Sequence, residues 1–146
     1  MRLRNILAAA ALAAAVSLTE SSMAKQVMVP KMYMFGFAAS FNDTIVHFTD
    51  IIEMDSAWID TKTKFLSGLE VYSLQLRNHL AERENMPGRT TVVLFDRKRS
   101  KLEKKYLKMK RLYDGNKNRR PYDLRTLSPT EFRFQPINRS EEIKEE

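Results

Sequence analysis

Residues 31–53 read KMYMFGFAASFNDTIVHFTDIIE, and the fold turns on this stretch. Tyr33, Phe35, Phe37, Ala39 and Phe41 alternate with Met34, Gly36, Ala38 and Ser40, the two-residue period of a half-buried strand. Asn42-Asp43 tolerates left-handed backbone and supplies a two-residue turn, after which Thr44 to Ile52 returns as a second strand. In that register Phe41 faces Thr44, Ala39 faces Val46, Phe37 faces Phe48 and Tyr33 faces Ile52. The other face pairs Ser40 with Ile45, Ala38 with His47, Gly36 with Thr49 and Met34 with Ile51, and is flatter. Asp50 falls opposite Phe35 on the apolar side, which requires a bulge or a twist there.

Outward from the hairpin, residues 54–64 read as a connection, with Trp58 and Ile59 folding back onto the core. Ser67-Gly-Leu-Glu70 matches a capping box and predicts a helix with Leu69, Tyr72, Leu76 and Leu80 inward. Asn85-Met-Pro87-Gly88 stops it. Thr90 to Phe95 is apolar and β-branched, as in a central strand buried on both faces. Arg97 to Tyr113 predicts a second helix with Leu102, Tyr106, Met109 and Tyr113 inward. Residues 116–130 read as an irregular basic loop, and Phe132 to Gln135 as a short last strand that Pro136 ends. The order ββαβαβ predicts an α+β fold: a two-layer sandwich of about four strands in a mixed sheet with both helices on one face.

Charge is segregated along the chain. Between Arg97 and Arg125 stand thirteen basic residues and three acidic ones, a surplus of ten in a chain whose net charge is +7. On the second helix Arg97, Lys101, Lys104, Lys108 and Arg111 fall within about 80° of one another, opposite the inward stripe. Arg119, Arg120 and Arg125 follow in the loop with Tyr122. Arg forks onto phosphate or carboxylate and Tyr stacks, so helix and loop together make a candidate anion-binding surface. The competing reading is a solvated face, or one neutralised by the acids Asp43, Asp50, Glu53, Asp55 and Asp60. The helix does not read as a membrane inserter, because its apolar stripe is narrow and serves the core.

The first 24 residues have the pattern of a secretory signal: Arg2 and Arg4, an apolar run from Ile6 to Leu18, and Ser22-Met23-Ala24 before the expected cleavage after Ala24. The run is shorter than the about 20 residues a spanning helix needs. Residues 25–138 then form one α+β domain and 139–146 a polar acidic tail. With no cysteine there is no disulfide, so the domain rests on its core. Export to the periplasm or beyond makes anionic lipid headgroups, acidic glycans or an acidic protein better partners than nucleic acid.

Catalytic signals are sparse. His47 and His79 are the two histidines and the only candidates for general acid–base work, as in a small hydrolase of the ribonuclease or glycan-acting kind. No cysteine, no His-x₃-His pair and no calcium loop is present, so no metal is expected. No P-loop or dinucleotide fingerprint appears, and no cofactor is implied. Val71 and Leu74 fall about 140–160° from the inward stripe of the first helix, where a partner in an assembly would meet them.

The stretches YMFGFAASFNDTIVHFTDI (33–51), FLSGLEVYSLQLRNHL (65–80) and KLEKKYLKMK (101–110) resemble a group of small exported bacterial proteins. The resemblance implies a shared fold and an envelope location, and carries over no catalytic residue.

Overall fold

The structure is a computed structural model that describes residues 25–114 and 122–138. The expected signal (1–24), the acidic tail (139–146) and residues 115–121 lie outside the described residues. The fold is α+β. Its strands are β1 (Gln26–Val29), β2 (Met32–Ala39), β3 (Ile45–Thr49), β4 (Ile52–Met54), β5 (Ala57–Asp60), β6 (Thr90–Asp96) and β7 (Asp123–Leu127). The helices are α1 (Leu69–Arg83), between β5 and β6, and α2 (Arg99–Tyr113), between β6 and β7.

β2 is the centre of a five-stranded mixed sheet. β6 pairs with it antiparallel from Tyr33 to Ala39, which leaves its other edge to β3 and β4 in succession. β7 runs parallel to β3 at the far edge. β1 and β5 form a separate antiparallel ribbon. The hairpin register holds where expected, with Phe37 opposite Phe48 and Ala38 opposite His47. Beyond it Met34 pairs with Ile52 and Tyr33 with Glu53, so two residues of β2 oppose three of the returning chain. That is a one-residue bulge at Asp50–Ile51. It exchanges the faces downstream: Ile52, expected opposite Tyr33, turns to the Met34 side. Thr49 holds the bulge, because its Oγ1 accepts from the Gly36 amide at 2.8 Å and donates to the Asp50 carbonyl at 2.9 Å.

The two helices lie on opposite faces, so the molecule has three layers rather than two. Tyr72, Leu76 and Leu80 of α1 are fully buried against Met34, Ala38 and Val93. At roughly 1.5–3 kcal/mol for each such side chain, this is a main source of stability. The face that looks flat in sequence is therefore a docking surface. Gly36 has no side chain, and a Cβ there would run into the δ-carbon of Leu76. The aromatic face receives α2 instead: Leu102 is fully buried, and Tyr106, Met109 and Tyr113 pack on Phe35, Phe37 and Phe48.

Other expectations shift for local reasons. The capping box does not form; the N-cap is Gly68 in left-handed geometry, and Ser67 Oγ instead reaches Gln26 Oε1 at 3.0 Å. β6 is an edge strand, with Val92 exposed, not a central one. Residues 57–60 are a strand because β1 pairs with them. The last strand comes earlier than expected, at 123–127. Phe132 and Phe134 are buried against Tyr72 and His79 without joining the sheet, and Gln75 bonds both backbone groups of Gln135. Phe41, expected on the apolar face, is fully exposed at the hairpin tip.

Candidate functional site

The aromatic layer sets the orientation of α2. Tyr106 meets Phe35 edge-on at 4.9 Å and Phe48 at 5.9 Å, and Tyr113 lies 5.0 Å from Phe37. This turns the opposite side of the helix to solvent. The Asp96 carboxylate accepts the Lys98 amide at 2.9 Å just before the first turn, and no acidic residue follows in that turn.

The basic residues of α2 divide into two sets. Along the flanks, Arg99 pairs with Glu103 at 2.9 Å and Lys105 with Asp96 at 3.8 Å. Lys110 sits 4.6 Å above the Tyr106 ring and donates to Thr126 Oγ1 at 3.3 Å. Arg97, Lys101, Lys104, Lys108 and Arg111 are exposed, and none is ion-paired to a described residue. Three of the five acids that could neutralise them are engaged elsewhere. Asp43 binds Arg89, Glu53 binds Lys31 at 3.2 Å, and Asp60 accepts the amides of Lys62 and Thr63.

Leu107 and Leu112 of α2 are also exposed, flanking the sector of these cations. Neither belongs to the inward stripe, and neither was singled out by the helical pattern. Arg125 does not join the surface. It pairs with Asp123 at 2.9 Å and stands beside His47 in the parallel register, on the α1 side of the sheet. Its neighbour Thr126 faces α2 and Lys110 instead. Arg119 and Arg120 lie outside the described residues.

Both histidines are on the α1 side. His47 is only 3% exposed, and its Nδ1 has no hydrogen-bond partner. Burial, then the Arg89 and Arg125 guanidinium groups, push its pKa below the usual histidine value, partly countered by Glu84 and Asp123. His79 places Nε2 3.6 Å from Glu84 Oε1 and leans on Phe132 at 5.1 Å. A cleft of about 470 Å³ is lined by His79, Glu84, Glu131 and Phe132 among others, but not by His47. The two rings therefore share a carboxylate neighbour, but His47 is not in the cleft at His79, and two-group acid–base work requires both at one substrate.

Val71 and Leu74 are exposed on the outer side of α1, as their helical angles imply. Sequence reasoning missed Arg89, which is buried with both guanidinium nitrogens on Asp43. An Arg beside the Pro87-Gly88 turn carries no signal of burial, since its partner is 46 residues away. Among the described residues no group of three or more His, Cys, Asp or Glu is placed to hold a metal ion, and no helix is long and apolar enough to cross a membrane. No protein-family model matches the chain, and no curated protein or solved structure matches it either.

Proposed function

We propose that this chain is a non-enzymatic binding domain that docks on an anionic phospholipid surface through the outer face of α2. One observation carries the reading: Arg97, Lys101, Lys104, Lys108 and Arg111 are exposed together without an ion-pair partner among the described residues, while three of the acids that were candidates to neutralise them, Asp43, Glu53 and Asp60, are engaged elsewhere. Leu112, 57% exposed next to Arg111, favours headgroups over an acidic glycan or acidic protein, because a cationic face with isolated apolar tips suits the lipid interface. The N-terminal signal pattern supports an exported protein that meets envelope lipids in the periplasm or outside. A hydrolase centred on His47 is less well supported, since that ring is buried and is not part of the cleft that His79 lines. An assembly role through Val71 and Leu74 rests on two exposed side chains, which is ordinary for a surface.

The test is cosedimentation of the purified chain with phosphatidylglycerol-containing vesicles and with purely zwitterionic ones, across a salt series. Binding is expected only to the anionic vesicles and weakens with salt. Near an anionic surface each cation contributes about 1 kcal/mol, so replacing Lys101, Lys104, Lys108 and Arg111 by Gln reduces partitioning on the order of several hundredfold. Equal binding by that variant removes the proposal.

A further inference from the structure

A groove of about 600 Å³ runs along the C-terminal half of β6, between the start of α1 and the start of α2. Its apolar surface comes mainly from Leu69, Leu94 and Phe95 over the buried Met32 and Val93, with Phe65 standing at the margin. Phe65 is 62% exposed and meets Phe95 edge-on at 6.4 Å. The volume falls within the range of about 300–1,000 Å³ typical of small-molecule sites.

The rim is cationic. Arg97, Lys98, Lys101 and Lys105 border the groove from the α2 side and Lys64 from the other. Asp96 is the sole carboxylate among the described lining residues, and it is engaged by the Lys98 amide and by Lys105. The first turn of α2 has no acidic residue, so its partial positive charge adds to that of the side chains. An apolar trough with cations gathered along one border matches a ligand with an apolar body and one anionic end. Among the described residues no Ser, Thr, Asn or Gln lines it, so sugar hydroxyls find no neutral hydrogen-bonding side chain among them.

We infer that this groove binds a single-chain anionic amphiphile of the fatty-acid type, with the chain against Phe65, Phe95 and Leu69 and the headgroup at Arg97 and Lys101. The inference rests on the reading of α2 as anion-directed, and extends it from a surface that touches headgroups to a site that takes up one molecule. Arg97 and Lys101 belong to both surfaces; Lys104, Lys108 and Arg111 belong to the outer face alone.

The experiment is calorimetric titration of the purified chain with dodecanoate below its micellar concentration, beside dodecan-1-ol, butanoate and a glutamate-rich peptide. Dodecanoate is expected to bind saturably, one per chain. Loss of the charged head weakens binding by about tenfold in dodecanol, and loss of eight methylenes weakens it by on the order of a thousandfold or more in butanoate. Phe65→Ser and Arg97→Gln, both at exposed positions, each weaken dodecanoate by about tenfold with unchanged thermal unfolding. Lys104→Gln/Lys108→Gln/Arg111→Gln leaves dodecanoate affinity unaltered while reducing vesicle adsorption. Vesicle adsorption without saturable dodecanoate binding overturns the groove and leaves the surface reading standing; dodecanoate binding without adsorption does the reverse. Equal affinity for dodecanol, or binding of the peptide in place of dodecanoate, also overturns the groove assignment.

Discussion

Arg89 holds both carboxylate oxygens of Asp43, at 2.8 and 2.7 Å, and its Nη1 also donates to the Ile45 carbonyl at 3.1 Å. The guanidinium is buried, so it joins the tip of the β2–β3 hairpin to the start of β6 through a charge that water barely reaches. Arg89 and the Ile45 amide together hold the Asp43 carboxyl below the usual carboxylate range. A depressed carboxylate stabilises the fold above the unfolded value of 3.8 and loses that contribution as pH falls through the folded value. Urea midpoints measured downward from about pH 4 should therefore fall for the wild type. In Asp43→Asn the midpoint is lower at neutral pH and the acid limb is shallower; an identical acid limb would show that the pair does not govern it.

Gly36→Ala tests the approach of α1 to the sheet. The added Cβ meets Leu76, and an overpacked site of this kind costs about 1–3 kcal/mol. Leu76→Ala alone removes a fully buried side chain, at about 2–5 kcal/mol. The double variant should be less destabilised than the sum, because the space vacated by Leu76 accepts the new methyl. Simple additivity in denaturant unfolding would mean that the two positions do not compete for space.

Thr49→Val tests the bulge. Valine keeps the shape but removes the oxygen that receives the Gly36 amide, leaving a buried N–H without that acceptor at about 1–3 kcal/mol. Thr49→Ser retains the hydroxyl and should keep the Gly36 amide as slow to exchange as in the wild type. Equal exchange rates in the Val and Ser variants would dismiss the hydroxyl as the anchor.

His47 links stability to mildly acidic pH. Its folded pKa is lowered from 6.5 by burial first and then by Arg89 and Arg125, so the unfolded chain binds the proton more readily. Stability is then fully present above about pH 6.5 and declines as pH drops toward the folded value. The denaturation midpoint should fall between pH 7.5 and pH 5.5, and His47→Gln should flatten that slope. A slope unchanged in the variant would assign it to other groups.

Local chemistry made much of this fold readable. Alternation in 33–41 and the return through 44–52 set the hairpin register, and Asp50 opposite Phe35 marks where the pairing needs a bulge or a twist. The inward stripes of both helices follow from 3.6-residue spacing alone, and so does the outer face of α2. What stayed hidden is non-local. The face of Met34, Gly36 and Ala38 reads as flat, which places both helices on the aromatic side; that α1 covers it is set by tertiary packing alone. Leu124 and Leu127 of β7 serve opposite sides of the sheet, so DLRTL has no alternation to read. Its place as a strand comes from the backbone of β3, including the Asp123 amide on the Thr44 carbonyl at 2.9 Å. That pairing is also what carries Arg125 away from α2.

Because β2 forms the wall between the two hydrophobic layers, neither layer can loosen on its own without exposing the strand the other depends on. Phe35 and Phe37 report to α2, and Met34 and Ala38 to α1, within five consecutive residues. The molecule should therefore melt as one cooperative unit, with the amides of Met34–Ala38 released only by global unfolding. Binding at α2 would then be felt by α1 through this single strand, as a common rise in protection on both sides of the sheet.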